Sequence, residues 1–169
     1  MSDDLPLNVL TELGRVTWAA IKLEDYVGDI CRRIEQTAGQ AADRRPISQK
    51  IKDAKKIITD GAPSVTSEKA IVWLERARQA VERRNAALHA TPIVWIGRER
   101  NDQLGLGEMP RRGSPYVERP LNVESLAELR AALQEAADGW ADLTVALSTE
   151  SMERVSAAAT SDLPGQRSS

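Results

Sequence analysis

Between residues 7 and 37, apolar side chains recur at Leu10, Leu13, Val16, Ala20, Leu23, Val27, Ile30 and Ile34. Steps of three and four are the period of one helical face, so the pattern predicts a long amphipathic helix. Pro6 suits its first turn, where no amide donor is needed. A polar connection over 38–46, closed by Arg44-Arg45-Pro46, leads into a shorter helix over about 47–60. Its stripe is Ile47, Ile51, Ala54 and Ile58, and Asp60-Gly61 marks its end. Pro63 to Ser67 reads as a turn and a cap. A third helix follows over about 67–90, with Ile71, Trp73, Leu74, Ala77, Val81 and Leu88 as its apolar positions. Thr91-Pro92 ends it, because the residue before a proline is pushed out of the α region.

The pattern then changes. Ile93-Val94-Trp95-Ile96 is a short β-prone run that leads into Gly97, Gly105, Gly107 and Pro110, then Tyr116-Val117. Residues 93–120 are therefore expected to form an irregular loop or a β-hairpin. A last helix is predicted from Asn122, a good N-cap, with Leu121 and Leu126 spaced as a hydrophobic staple. Its stripe is Leu126, Leu129, Leu133, Ala136, Trp140, Leu143 and Leu147. From 148 to 169 the chain is rich in Ser, Thr and Ala without apolar period, and is expected to be a disordered tail. No internal repeat is found. The expected fold is all-α: an up-and-down four-helix bundle forming one domain over 1–147, with the 93–120 excursion between helices three and four.

Composition agrees with this reading. A chain of 169 residues is long enough for one domain with its own core. With four Trp, two Tyr and no Phe, Leu, Ile, Val and Ala must build that core. The net charge of -2 gives no global attraction to nucleic acid, so any anionic ligand must meet a local basic patch. Cys31 is the single cysteine, which excludes an internal disulfide and a multi-cysteine zinc site. It borders the first stripe and reads as a small packed thiol. The acidic start, Met1-Ser2-Asp3-Asp4, does not lead into a signal-peptide core, and no apolar run approaches the ~20 residues needed to cross a bilayer. The chain is expected to be cytoplasmic and not to engage a membrane.

The chain holds one histidine, His89, in the last turn of the third predicted helix. At ~100° per residue, Arg78, Glu82, Asn85 and His89 fall within about 60° of one another as a polar stripe. Arg84 lies roughly 140° from His89 around the axis, on the side of Val81 and Leu88. A histidine titrates near neutrality and serves as acid or base. An arginine clamps phosphate with two parallel bonds, and an asparagine donates to phosphate or orients an imidazole. Together these residue types suit phosphodiester chemistry. Plainer roles also fit: His89 satisfying the last helix carbonyls, and Arg84 tied to a carboxylate elsewhere. Six of the thirteen residues from 44 to 56 are basic, among them Lys52 and Lys56. They either line an RNA path or form a solvated helix face. The excursion adds Arg98, Arg100, Arg111, Arg112 and Arg119, of which Arg111 and Arg112 are candidate RNA contacts alongside Arg78. Trp95 either stacks on a base or packs against the helices. No P-loop, nucleophile elbow, H-E-x-x-H or dinucleotide fingerprint is present, and no cofactor is called for. Carboxylate-only metal sites stay open.

Arg84-Asn85-x-x-x-His89 resembles the R-x4-6-H signature of HEPN domains, including the polar residue that often follows the arginine. The context is similar too: the signature ends a long helix, a segment with glycines and arginines follows, and an amphipathic helix closes the domain. In architecture the resemblance covers residues 7–147; at residue level it covers about six positions. It implies a metal-independent endoribonuclease, often a toxin or phage-defence factor with an antitoxin partner, working as a homodimer whose motifs share a cleft. His89 would then act on the ribose 2′-hydroxyl or the leaving oxygen, Arg84 would stabilise charge on phosphorus, and Asn85 would position phosphate or imidazole. Some HEPN members use the motif only to bind partners or nucleotides, so a non-catalytic module is the alternative.

Overall fold

A computed structural model describes residues 5–37, 45–88, 91–95, 103–108, 117–120 and 122–161. The all-α class expected from the pattern holds: helices carry most of the described chain. They are α1 (Leu7–Thr37), α2 (Ile47–Asp60), α3 (Val65–Leu88), α4 (Val123–Ala137) and α5 (Trp140–Ser161). Among the described residues no helix is long and apolar enough to cross a membrane.

Local chemistry accounts for the helix ends. The Leu10 amide donates to the Pro6 carbonyl at 3.0 Å, so proline stands where its missing N–H costs nothing. Ser64 caps α3, its hydroxyl accepting from the Ser67 amide at 3.0 Å. Asn122 caps α4 in a reciprocal box with Ser125: its side chain accepts from the Ser125 amide, and the Ser125 hydroxyl accepts from the Asn122 amide. Leu121, the other half of the expected staple, lies outside the described residues.

One expectation is extended and two are corrected. The β-hairpin expected of the excursion is present as β1 (Thr91–Trp95) and β2 (Gln103–Glu108), and a third strand, β3 (Val117–Pro120), extends it to an antiparallel sheet in the order β1-β2-β3. Val94 faces Leu104 across one ladder, and Leu106 faces Arg119 across the other. Pro92 and Pro120 both fall on edge strands, where a missing donor is tolerated, and the central strand has no proline. The last predicted helix is two. Its apolar spacing continues along the sequence through Asp138-Gly139, but Gly139 takes φ +80, a left-handed conformation that ends α4 and restarts the chain as α5. The tail expected to be disordered from 148 is helical as far as Ser161. Ala, Met, Glu and Arg are good helix formers, and Arg154 pairs with Glu150 one turn away at 2.7 Å, so this segment needs no apolar stripe to be helical. The expectation for 162–169 lies outside the described residues.

The helices assort into two compact units. The first holds the residues up to Tyr26 together with Glu75–Asp138; the second holds Val27–Leu74 together with the residues from Gly139 on. In the first, α1 buries Val9, Val16, Ala20 and Leu23, α3 buries Ala77, Ala80 and Val81, and α4 buries Leu126, Leu129, Leu133 and Ala136. In the second, α1 buries Val27, Ile30 and Ile34, α2 buries Ile51 and Ala54, α3 buries Ala70, Trp73 and Leu74, and α5 buries Leu143. Cys31 is buried here as expected, and loss of solvent pushes its thiol up to about 12, so it carries no thiolate at neutral pH. Two positions of the predicted α1 stripe depart from the core: Leu10 is exposed and Leu13 is half-buried.

Two carboxylates lie in these cores. Glu12 of the first unit is met by Arg130 of α4 at 2.5 Å and by Arg15 at 3.0 Å. Glu35 of the second is met by Arg45, which also binds Asp53 of α2. The Arg130 guanidinium, with Arg15 beside it, holds the Glu12 carboxyl below the usual carboxylate range against the opposite pull of burial. A carboxyl lowered in the folded chain adds stability that is present above its unfolded pKa and is lost as pH falls towards the folded one. Urea midpoints of the wild type should therefore drop as pH falls from about 5 to about 3, and Glu12→Gln should be less stable at pH 7 with a shallower drop. Parallel pH profiles for the two proteins would show that this pair adds nothing.

Candidate functional site

The candidate site is the C-terminal part of α3, within the first unit. Helical spacing puts Arg78 one turn from Glu82 and three residues from Glu75, and both carboxylates bind it. Its guanidinium donates to Glu75 at 2.6 Å and to Glu82 at 2.5 Å. These two acids raise the arginine's pKa, so it is a firmly charged but already engaged cation. Arg78 was expected to reach RNA. Flanked by two carboxylates it presents a surface with more negative than positive charge, which is poorly suited to phosphate.

Arg84 lies on a different side of α3, as the helical angle requires, and its side chain is only 18% exposed. It is ion-paired with Glu24 of α1. Burial lowers its pKa, though an arginine remains charged throughout the accessible range. Its Nε is buried without a hydrogen-bond partner among the described residues, so the fork is only partly satisfied. Asn85, next along the helix, is half-buried. His89 lies outside the described residues, as do Arg111 and Arg112. Lys52 and Lys56 are exposed on α2, in the second unit. Arg45, from the same basic run, is committed to Glu35 and Asp53 and is not available as a free cation.

Glu24 is the site residue that sequence reasoning missed. It sits on α1 directly after the core residue Leu23, and periodicity marks it only as an edge position. Its pairing with Arg84 is set by the packing of α1 against α3, which no local spacing records. Chemically, the pair holds a cation at the edge of a helical core with one donor unmet. Such a guanidinium is oriented in advance, and an incoming phosphate must compete with Glu24 for it. Among the described residues, no group of three or more His, Cys, Asp or Glu side chains is gathered as a metal site would require.

Comparison with protein families, with curated proteins and with solved structures finds no match for this chain.

The Arg84–Glu24 pair sits between surface and core, so its net worth is modest. A double-mutant cycle of Arg84→Ala and Glu24→Ala, followed by urea unfolding, should give a coupling of roughly 1 kcal/mol. Strictly additive losses would mean that the two groups do not hold each other.

Proposed function

We propose that the chain is a HEPN-type, metal-independent endoribonuclease, acting as a homodimer in the cytoplasm as a toxin or phage-defence component with an antitoxin protein as partner. The observation that carries this reading is Arg84: a charged guanidinium held against the core by Glu24, one residue before Asn85 and five before His89, at the end of a long helix. An antiparallel sheet and then α4 follow it in the chain, in keeping with the HEPN pattern of an excursion and a closing helix.

In the proposed reaction the ribose 2′-oxygen attacks phosphorus. The P–O2′ bond forms, the P–O5′ bond breaks, the 2′ proton goes to a base, and a proton is delivered to the leaving 5′ oxygen. The product ends are a 2′,3′-cyclic phosphate and a 5′-hydroxyl. Two proton transfers ask for two groups, and a chain with one histidine supplies two imidazoles only when two copies meet; Glu82 or a water is the other source. Arg84 offsets charge building on the phosphoryl oxygens, and Asn85 positions phosphate or imidazole. RNA is the substrate, with Lys52, Lys56, Arg111 and Arg112 as candidate backbone contacts.

A second reading is favoured by one specific observation. Because Glu24 already occupies the Arg84 guanidinium, the arginine also suits a purely structural role, and the chain is then a non-catalytic HEPN-like module that binds a partner protein or a nucleotide.

Incubation of the full chain with RNA in excess chelator separates the two. Cleavage should persist without divalent metal, yield cyclic phosphate ends, and fall by roughly 100-fold or more in His89→Ala and in Arg84→Ala. RNA left intact by folded wild type, or cleavage unchanged in His89→Ala, would overturn the ribonuclease reading.

A further inference from the structure

The outer face of α1 carries a second apolar stripe that the core does not use. Leu7 is 79% exposed, Leu10 45%, Trp18 61% and Ile21 46%. At ~100° per residue these four, with Thr11 and Thr17, lie within about 60° of Gly14 around the helix. No charged residue stands in that arc between Leu7 and Ile21. Arg15 and Lys22 border it on one side. Arg15 is already met by Glu12 at 3.0 Å, and the Lys22 ammonium lies 5.6 Å from the Trp18 ring centroid. Gly14 occupies the middle, and among the described residues a Cβ built there would meet nothing within 4 Å, so their packing does not require a glycine.

This stripe is symmetric about its own midpoint. Counting outwards from Gly14, Thr11 corresponds to Thr17, Leu10 to Trp18 and Leu7 to Ile21. A two-fold axis at Gly14 would lay α1 antiparallel on the α1 of another copy and set each member of these pairs beside the other, small against small at the centre and large apolar against large apolar outside. That self-matching is what an isologous interface demands and what an unrelated partner gives no reason to expect. We propose that the chain self-associates through this face, with Gly14 at the axis and Trp18 of each copy packed beside Leu10 of the other.

The area is adequate for such a contact. The exposed parts of the four apolar side chains form a patch on the order of 400 Å², the size that marks an interaction site on a folded chain. With the threonines and the flanking stems, two copies together approach the roughly 1,200 Å² at which specific interfaces begin. The inference stands on α1 alone. Because α1 laid antiparallel about Gly14 sets the two copies of Glu24, and the Arg84 that each holds, about 30 Å apart along the helices, this contact does not join the two histidines, and in the proposed cleavage the second proton transfer then falls to Glu82 or a water.

Sedimentation equilibrium of the full chain across the micromolar range tests it. The wild type should be a dimer, and Gly14→Gln, which adds a side chain at the axis while improving helix propensity, should be a monomer with undiminished helical circular dichroism. Single-cysteine probes fix the geometry, because Cys31 is buried. Gly14→Cys should form an intermolecular disulfide under mild oxidation. Leu7→Cys should not, because the two copies of residue 7 would lie about 21 Å apart along an antiparallel pair. A wild type that stays monomeric, a Gly14→Gln that stays dimeric, or Leu7→Cys crosslinking faster than Gly14→Cys would each overturn the proposal.

Discussion

A charge taken out of water has to be met by its opposite, and α1 takes part in three such pairs: at two of them it brings the buried carboxylate, and at the third its half-exposed Glu24 meets a largely buried arginine. Glu12 is held by Arg130 of α4, Glu24 pairs with Arg84 of α3, and Glu35 pairs with Arg45 before α2. An isolated buried charge is expensive, and breaking one such pair costs more than making it gains. Each pair therefore acts less as a source of net stability than as a condition on which segment lies beside α1. In the first unit that condition applies to α3 and α4. In the second it applies to the chain entering α2, where Arg45 bridges α1 and α2 through Glu35 and Asp53. Specificity of this kind suits a core made mainly of Leu, Ile, Val and Ala, whose shapes alone discriminate weakly between neighbouring registers.

Much of this architecture was legible in the sequence because hydrophobic period and end signals are local. The run from Val16 to Ile34 announced the buried face of α1, and Asn122 announced the start of α4. The failures have equally physical causes. Leu126 to Leu147 keeps its three-four spacing across Asp138-Gly139, so periodicity saw one helix where a left-handed glycine makes two. The segment after 148 lacks an apolar stripe, yet its alanines and the Glu150–Arg154 pair make it helical. At the site, the type and spacing of Arg84 and Asn85 could be read, but their surroundings could not. Glu24 and Arg84 are far apart in sequence and meet only through tertiary packing, and Arg78, a candidate RNA contact by residue type, is engaged by Glu75 and Glu82 on its own helix.

The Arg84–Glu24 pair also sets the terms on which any anion can use the site. A guanidinium already positioned by a carboxylate pays little reorganisation when a phosphate arrives, but the phosphate must displace or share that carboxylate. An RNA phosphodiester carries one negative charge, as the Glu24 carboxylate does, so the exchange turns on the donors that the site offers beyond this pair. The unmet Nε adds a donor that Glu24 does not use. The same geometry that makes the arginine look structural thus leaves it able to act, and the two roles differ only in whether a competing anion can approach.

The two faces of α1 obey different constraints. The inner face is specified by packing: Val16, Leu23, Val27 and Ile30 are fully buried, and each has neighbours within the chain. The outer face has no such neighbours among the described residues, yet it is neither random nor polar. A glycine inside a helix costs about 0.5–1 kcal/mol relative to alanine, and among the described residues nothing occupies the space a methyl group at Gly14 would take. Four large apolar side chains left in water forgo further burial energy. Both features are unfavourable for an isolated chain, and both become favourable together when another helix lies across Gly14, because the glycine permits the close approach that lets Leu10 and Trp18 leave water.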